Sequence, residues 1–332
     1  MTVLIEWKTL HKYQFFIAGI CFLYSITVTA EEEYANLPFA TPAEINAQHV
    51  FALVSLIEKE VDSIRHAMGK PNINRNIVHI HGAAPREVLY QAVSLQKKIQ
   101  RLNFELTFSR SRPPEIIPLA KSGSESIWQT LVESLQNLYE IKRRYNILAR
   151  HQFPAITDKK SPSDVYMSIL RINRQVNVLL AQPYLPSDVY QETTTALYYT
   201  LSLQEKIPGL RLLKEPEFVP GNMPRDVYAE MLSMYKDLSK LLSRSNIKTL
   251  TLKAIHSEKI QPSDVYDIIV LINSQLAYLH ARTKGVRGVH PAVYPGVKFP
   301  SHVLQRARFL HLHIRKILTT IQKNPNLLSL RN

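Results

Sequence analysis

The chain has 332 residues, 45% of them hydrophobic and 20% charged, which allows one large core or two ordinary ones and excludes a disordered polymer. Basic residues outnumber acidic ones by 41 to 27, a net charge of +14 that points toward an anionic partner. Its single cysteine, Cys21, excludes a disulfide framework and a thiolate metal cluster.

Residues 1–30 read as a signal peptide. Lys8 and Lys12 precede an apolar run from Phe15 to Val28, Val28-Thr29-Ala30 has the small-residue cleavage pattern, and Glu31 to Glu33 follow at once. The run is shorter than the roughly 20 apolar residues of a spanning helix. Glu6 and Trp7 are untypical of a leader, so a retained membrane anchor is the alternative. The bulky Ile20 before Cys21 argues against lipidation. Cleavage after Ala30 leaves no cysteine and a net charge of +13, so a thiol nucleophile is excluded. Export turns the expected partner away from nucleic acid and toward an anionic envelope component, a membrane surface or another envelope protein.

Beyond the leader, one phrase recurs: PREVL at Pro85, PSDVY at Pro162, Pro186 and Pro262, PRDVY at Pro224 and PSHVL at Pro300. Its apolar fourth residue gives anchors Val88, Val165, Val189, Val227, Val265 and Val303, the last four spaced 38 apart. SESIW places Ile127 midway between Val88 and Val165, and TPAEI places Ile45 as a divergent first anchor. Only the step from Val165 to Val189, 24 residues, breaks the rhythm. The spacing therefore predicts an all-α fold of eight single-helix repeats of about 38 residues, in two halves, 31–182 and 183–332, divided near Gln182-Pro183. The halves form paired bundles or one superhelical array.

Each phrase is a helix start. Proline loses nothing at the first helical position, and an acid two residues later meets the positive end of the helix and can bond the cap N–H. Asp164, Asp188, Asp226 and Asp264 are accordingly structural acids, with Thr41-Pro42-Ala43-Glu44 the first copy of the arrangement. Apolar residues recur at 0, 4, 7, 11 and 14 from the anchor, as in Val165, Ile169, Ile172, Val176 and Leu179, the face of a helix about four turns long. Val189 heads a weaker copy carrying Thr193 and Thr200. Between helices lie segments such as Arg282 to Phe299, too rich in proline and glycine for ordinary helices. Fifteen extended residues span about 50 Å, so such connectors can return the chain and set neighbouring helices parallel. Ile247 to Ile255 has room for a short helix, and helix direction stays open.

Five rings follow the anchors: Trp128, Tyr166, Tyr190, Tyr228 and Tyr266. A binding stripe for sugars is one reading; a second packing stripe against the connectors is the other, and the apolar residues four positions further on favour it. The matched amides Asn173 with Asn273 and Gln175 with Gln275 are expected to satisfy connector backbone, or to share a polar ligand. His311 and His313 diverge on a helix, whereas His79 and His81 can share a face of an extended segment and hold a metal. Neither pair has further ligands nearby in sequence. Basic clusters around Lys97, Lys98 and Arg101, Lys142 to Arg144, Arg282 to Arg287 and Arg306 to Lys316 read as solvated faces, or together as a positive binding surface. No nucleophile elbow, phosphate loop, haem-attachment motif or zinc-protease motif is present. The reading is a non-enzymatic exported scaffold or binding module without cofactor or metal. A helical-bundle sensor of small ligands is the alternative, and an envelope-polymer hydrolase comes third.

Overall fold

The computed structural model describes residues 45–73, 78–110, 122–156, 159–210, 213–254, 259–324, 327 and 330. The expected signal peptide and the acid of the first phrase, Glu44, lie outside them. Among the described residues the fold is all-α, with helices α1 (Ala47–Ala67), α2 (Pro85–Thr107), α3 (Ser124–Arg144), α4 (Pro162–Leu179), α5 (Pro186–Gln204), α6 (Pro224–Arg244), α7 (Pro262–Arg282) and α8 (Pro300–Lys323). None of them is long and apolar enough to cross a membrane.

The helix starts follow one rule. The third helical residue accepts the N–H of its own cap: Glu87 at 2.6 Å, Asp164 at 2.8 Å, Asp188 at 2.7 Å, Asp226 at 2.7 Å and Asp264 at 2.8 Å. Ser126, His49 and His302 do the same at 3.1, 3.4 and 3.2 Å. The first helix departs from expectation: Ile45 is not helical, Asn46 is the cap, and its Oδ1 accepts from the Gln48 N–H at 2.9 Å. Its anchor is Val50, 38 residues before Val88. From Val50 the residues at the predicted core offsets, Val54, Ile57, Val61 and Ile64, are all buried, each worth about 1.5–3 kcal/mol of transfer free energy. The same offsets are buried in α5, where Thr193 and Thr200 turn their hydroxyls back onto the carbonyls of Val189 and Ala196 and so bury no unpaired group.

Helices α1 to α4 pack with each other, α1 and α2 each touching both α3 and α4; α5 and α6 each touch both α7 and α8 in the same way. Within each set the helices are parallel. Pro186, Pro224, Pro262 and Pro300 surround one narrow apolar pocket with the anchor valines of the same helices, so the starts of α5 to α8 converge. In the first set, Gln96 bonds Glu133 and Asn103 bonds Glu140, which keeps α2 and α3 in step. Parallel helices add their dipoles instead of cancelling them. A carboxylate near most of the converging starts offsets part of that cost.

Parallel packing demands that the connectors within a bundle return the chain, and the described parts of the α1–α2 and α7–α8 connectors do so along a helix. The α1–α2 connector follows α4 backward, from Gln175, which donates to Ile73 O at 3.0 Å, to Ser163, whose Oγ accepts from Ala83 N at 3.0 Å. The α7–α8 connector likewise follows α5, its Ala292 N donating to Thr195 Oγ1 and its Lys298 N to Ser187 Oγ, at 3.0 and 2.9 Å. Asn222 N repeats the joint on Ser301 Oγ at 3.0 Å. The serine of the phrase thus holds the residue just before a neighbouring helix start. The short helix expected at Ile247–Ile255 does not form over its described part. Strand β2 (Thr251–Lys253) there pairs antiparallel with β1 (His79–His81), because Ile80 can bury between its exposed neighbours only as a strand residue.

The bundles meet side by side with opposite sense. Helix α2 runs antiparallel to α7: Gln275, late in α7, donates to Glu87 Oε1 at 2.5 Å, while Lys98, in mid-α2, lies 5.4 Å from the ring of Tyr266 near the α7 start.

Candidate functional site

The meeting of the bundles buries ionisable groups that neither bundle's repeat requires. Arg174 of α4 is 5% exposed, and its Nη2 donates to Asp264 Oδ1 at 3.2 Å and to Asp267 Oδ2. The phrase positions Asp264 at the α7 start, and one turn on, Asp267 shares its face. Burial raises the Asp267 carboxyl to about 6, Arg174 pulling it only part of the way back. On the α2 side Lys98 donates from Nζ to the Tyr184 hydroxyl at 2.7 Å and sits over the Tyr184 and Tyr266 rings. Burial lowers its pKa to about 8 against the pull of Asp267, Glu192 and Asp188. Glu192 is raised by burial, which the hydrogen bond from Asn273 Nδ2 at 2.7 Å opposes.

Beside this cluster lies a cavity of about 460 Å³, walled by the end of α4, the start of α7, Tyr184 and Ile73. Arg174 is its one charged lining residue, and Nε and Nη1 of that guanidinium have no hydrogen-bond partner. Ala181, also on the wall, holds φ at +50° as the helix ends, a left-handed conformation that costs a non-glycine residue about 1 kcal/mol. A cavity of this size with a few convergent polar groups and displaced titrations has the physical form of a small-molecule site.

No protein-family model, curated protein or solved structure matches the chain.

The aromatic residues after the anchors are dispersed. Tyr166 is buried and accepts from Gln91 Nε2 at 3.0 Å; Tyr190 accepts from Arg306 Nη2 at 2.5 Å. Tyr228 is buried, and Trp128 lies 6.1 Å from the Phe153 ring of a connector. Tyr266, 4.5 Å from Tyr184, joins the seam. Asp164, Asp188 and Asp226 act at their caps, whereas Asp264 combines its cap with the ion pair to Arg174.

Two sequence expectations need correction. Lys98 and Lys142 do not lie on solvated faces: Lys142 is 7% exposed and bonds Glu60 and the carbonyl of Ala149. Of the four matched amides only Gln175 serves a connector. Asn173 donates to Gln91, Asn273 to Glu192 and Gln275 to Glu87, because at their depth the nearest unpaired groups are on helices. His79 and His81 are both exposed on β1, and no group of three metal-ligating residues occurs among the described residues. His311 turns to Glu230 and Asp237, and His313 to Gln204.

A second groove, about 430 Å³, runs between α5 and the Arg287–Val293 segment. Ser202 on its wall lies 3.0 Å from His280 Nε2. Among the described residues no carboxylate bonds His280, and burial lowers its pKa, so the pair lacks the orienting acid of a nucleophilic triad.

The seam was hidden because its partners are far apart in sequence: Arg174 and Asp264 are separated by 90 residues. One signal was available. An acid at Asp267, three residues beyond the repeated Asp264, has no counterpart in the other PSDVY helices, which carry Met167 in α4 and Gln191 in α5.

Proposed function

We propose that the chain is an exported, non-enzymatic helical binding module that holds a small ligand in the cavity between its bundles. Sequence patterning favours an envelope scaffold and places the small-ligand binder second. The observation that moves the second reading forward is the cavity of about 460 Å³ at the junction of the bundles, largely apolar and walled by Arg174, Tyr184 and the start of α7.

The test is a thermal-shift screen of the full chain with carboxylates, amines, amides and polyols, run beside Val178→Trp, which fills the cavity. The expected result is a set of compounds that raise Tm for the natural chain and not for the variant. No stabilising compound, or equal stabilisation of both chains, would overturn the reading.

The scaffold reading retains one specific observation. The caps of α5, α6 and α8 are Leu185, Met223 and Phe299, exposed by 46, 55 and 62%, where side chains that accept hydrogen bonds are preferred. If that end holds an envelope partner, Leu185→Glu combined with Phe299→Glu abolishes co-sedimentation with envelope fractions at unchanged Tm.

A further inference from the structure

Helix α8 carries no aspartate or glutamate in its 24 residues, and its outward face adjoins that of its parallel neighbour α6. We propose that this joint face docks on an anionic lipid membrane surface. On α6 the exposed residues Lys236, Lys240 and Arg244 follow one another at four-residue steps, one row along a helix. On α8 the exposed residues Arg308, Leu312 and Lys316 form a matching row, with Arg315 beside it and Lys323 two turns further on. The rows flank one crease, because Lys240 Nζ lies 2.7 Å and Arg315 Nε 3.8 Å from the same carboxylate, Asp237.

Arg244 and Lys323 stand in the last helical turn, where a cation answers the negative helix end, so helix stability alone accounts for them. The cations in mid-helix have no such account. Lys236, Arg308 and Lys316 have no ion-pair partner among the described residues, and the two carboxylates of the face, Glu230 and Asp237, are held in the crease by His311. The placement of these charges selects the partner. A linear polyanion would follow the crease and run against Glu230 and Asp237. A flat anionic surface meets the two ridges instead, where long lysine and arginine stems carry their charges outward. Leu312, 40% exposed on the α8 ridge between Arg308 and Lys316, gains at the apolar edge of a headgroup layer what it lacks in water. Each cation near an anionic leaflet adds attraction that salt screens, and the net charge of +14 steers the approach. The face belongs to α6 and α8, whereas the cavity is walled by α4, α7 and the segment between the bundles, so the two sites stand or fall separately.

Co-sedimentation of the full chain with vesicles of phosphatidylcholine, alone and with about one third phosphatidylglycerol, reads the inference through the gain in affinity that the anionic lipid brings. The deciding variant combines Lys236→Gln, Lys240→Gln, Arg308→Gln and Lys316→Gln, exposed positions where glutamine preserves the helix. Its control, Lys59→Gln with Lys97→Gln, Arg143→Gln and Arg144→Gln, removes the same charge from exposed positions of the first bundle. The gain is expected to fall about a hundredfold in the first variant and less than about threefold in the control, since only cations close to the lipid contribute fully. Unchanged Tm in both shows that folding is not what was lost. No gain with the natural chain overturns the proposal, and so does an equal loss in the two variants, which would make overall charge the cause. Tighter binding to a DNA duplex than to the mixed vesicles, lost in the first variant, would assign the face to a linear polyanion and likewise overturn the membrane.

Discussion

The first and second bundles share one construction and differ in the polar ties across their helices. In the first, the ties are a buried ion pair, Glu60 with Lys142, and amide–carboxylate bonds such as Asn103 Nδ2 to Glu140 at 2.7 Å. In the second an amide–carboxylate bond, Asn273 Nδ2 to Glu192 at 2.7 Å, is joined by histidines. His311 bridges α8 to Glu230 and Asp237 of α6, His313 meets Gln204 of α5, and His280 meets Ser202. The buried histidines among the described residues, His280, His311 and His313, all belong to the second bundle. A repeated helix-start phrase therefore specifies where helices begin and how their starts join, and leaves the lower turns free to diverge. The consequence is that the histidine ties across the second bundle's helices answer to pH near neutrality.

The largest expected effect tests the first bundle's tie. Lys142→Met leaves Glu60, itself 1% exposed, as a buried charge without its cation, which costs about 3–5 kcal/mol. Hydrogen exchange should rise first in α1 and α3. The double variant Glu60→Leu with Lys142→Met should recover most of the loss, since replacing both partners removes the uncompensated charge. A single variant with unchanged melting would mean that the pair is not desolvated as described.

Next comes the joint that the bundles share. Ser163→Ala and Ser301→Ala each leave a backbone N–H, of Ala83 and Asn222 respectively, without its acceptor, at about 1–3 kcal/mol. Equal losses in the two bundles, measured by urea unfolding, are the expected outcome. A loss confined to one of them would break the claim of common construction.

Smaller again is the cap carboxylate. Asp226→Ala removes the acceptor of the Met223 N–H and should cost about 0.5–2 kcal/mol. Asp264→Ala should cost more, because it also takes one carboxylate from Arg174. Thermal melting of the two variants side by side gives the ordering, and equal costs would contradict the double role of Asp264.

How much of this was legible in the sequence follows from the range of each interaction. The all-α class and most helix starts come from local rules, proline at the first position and an acid at the third, so the phrase displays them. The first start was misplaced at Ile45 because α1 has neither proline nor acid there: His49 takes the acid's place. Stepping 38 residues back from Val88 lands on Val50, a signal stronger than the phrase itself. Helix direction was not legible, since it depends on which helix each connector lies along, and bonds such as Ala83 to Ser163 span 80 residues. The seam was least legible of all. Arg174, Lys98 and Asp267 carry no motif, and their chemistry arises only when two bundles of opposite sense are pressed together.

The smallest effect, and the one that most sharpens the comparison, is the pH response of His311. Burial disfavours the charged ring, but the hydrogen bonds to Glu230 at 2.6 Å and Asp237 at 3.1 Å outweigh it and raise the pKa above the usual 6.5. A histidine raised in the folded state contributes stability that is fully present below its unfolded pKa and lost as pH rises through the folded one. His280 and His313 act oppositely: burial lowers both, so their contribution is present above the unfolded pKa and lost as pH falls. The pH profile of the natural chain mixes these signs, and a single substitution separates them. His311→Gln keeps hydrogen-bonding capacity and abolishes the titration, so the stability gap between the natural chain and the variant should be widest near about pH 5.5 and narrow toward about pH 8, across the usual histidine range. Urea unfolding of both chains over that range reads the gap directly. A gap that stays constant with pH would show that the ring is neutral throughout, and the second bundle would then hold its helices by neutral bonds, as the first holds α2 to α3 through Asn103 and Asn137.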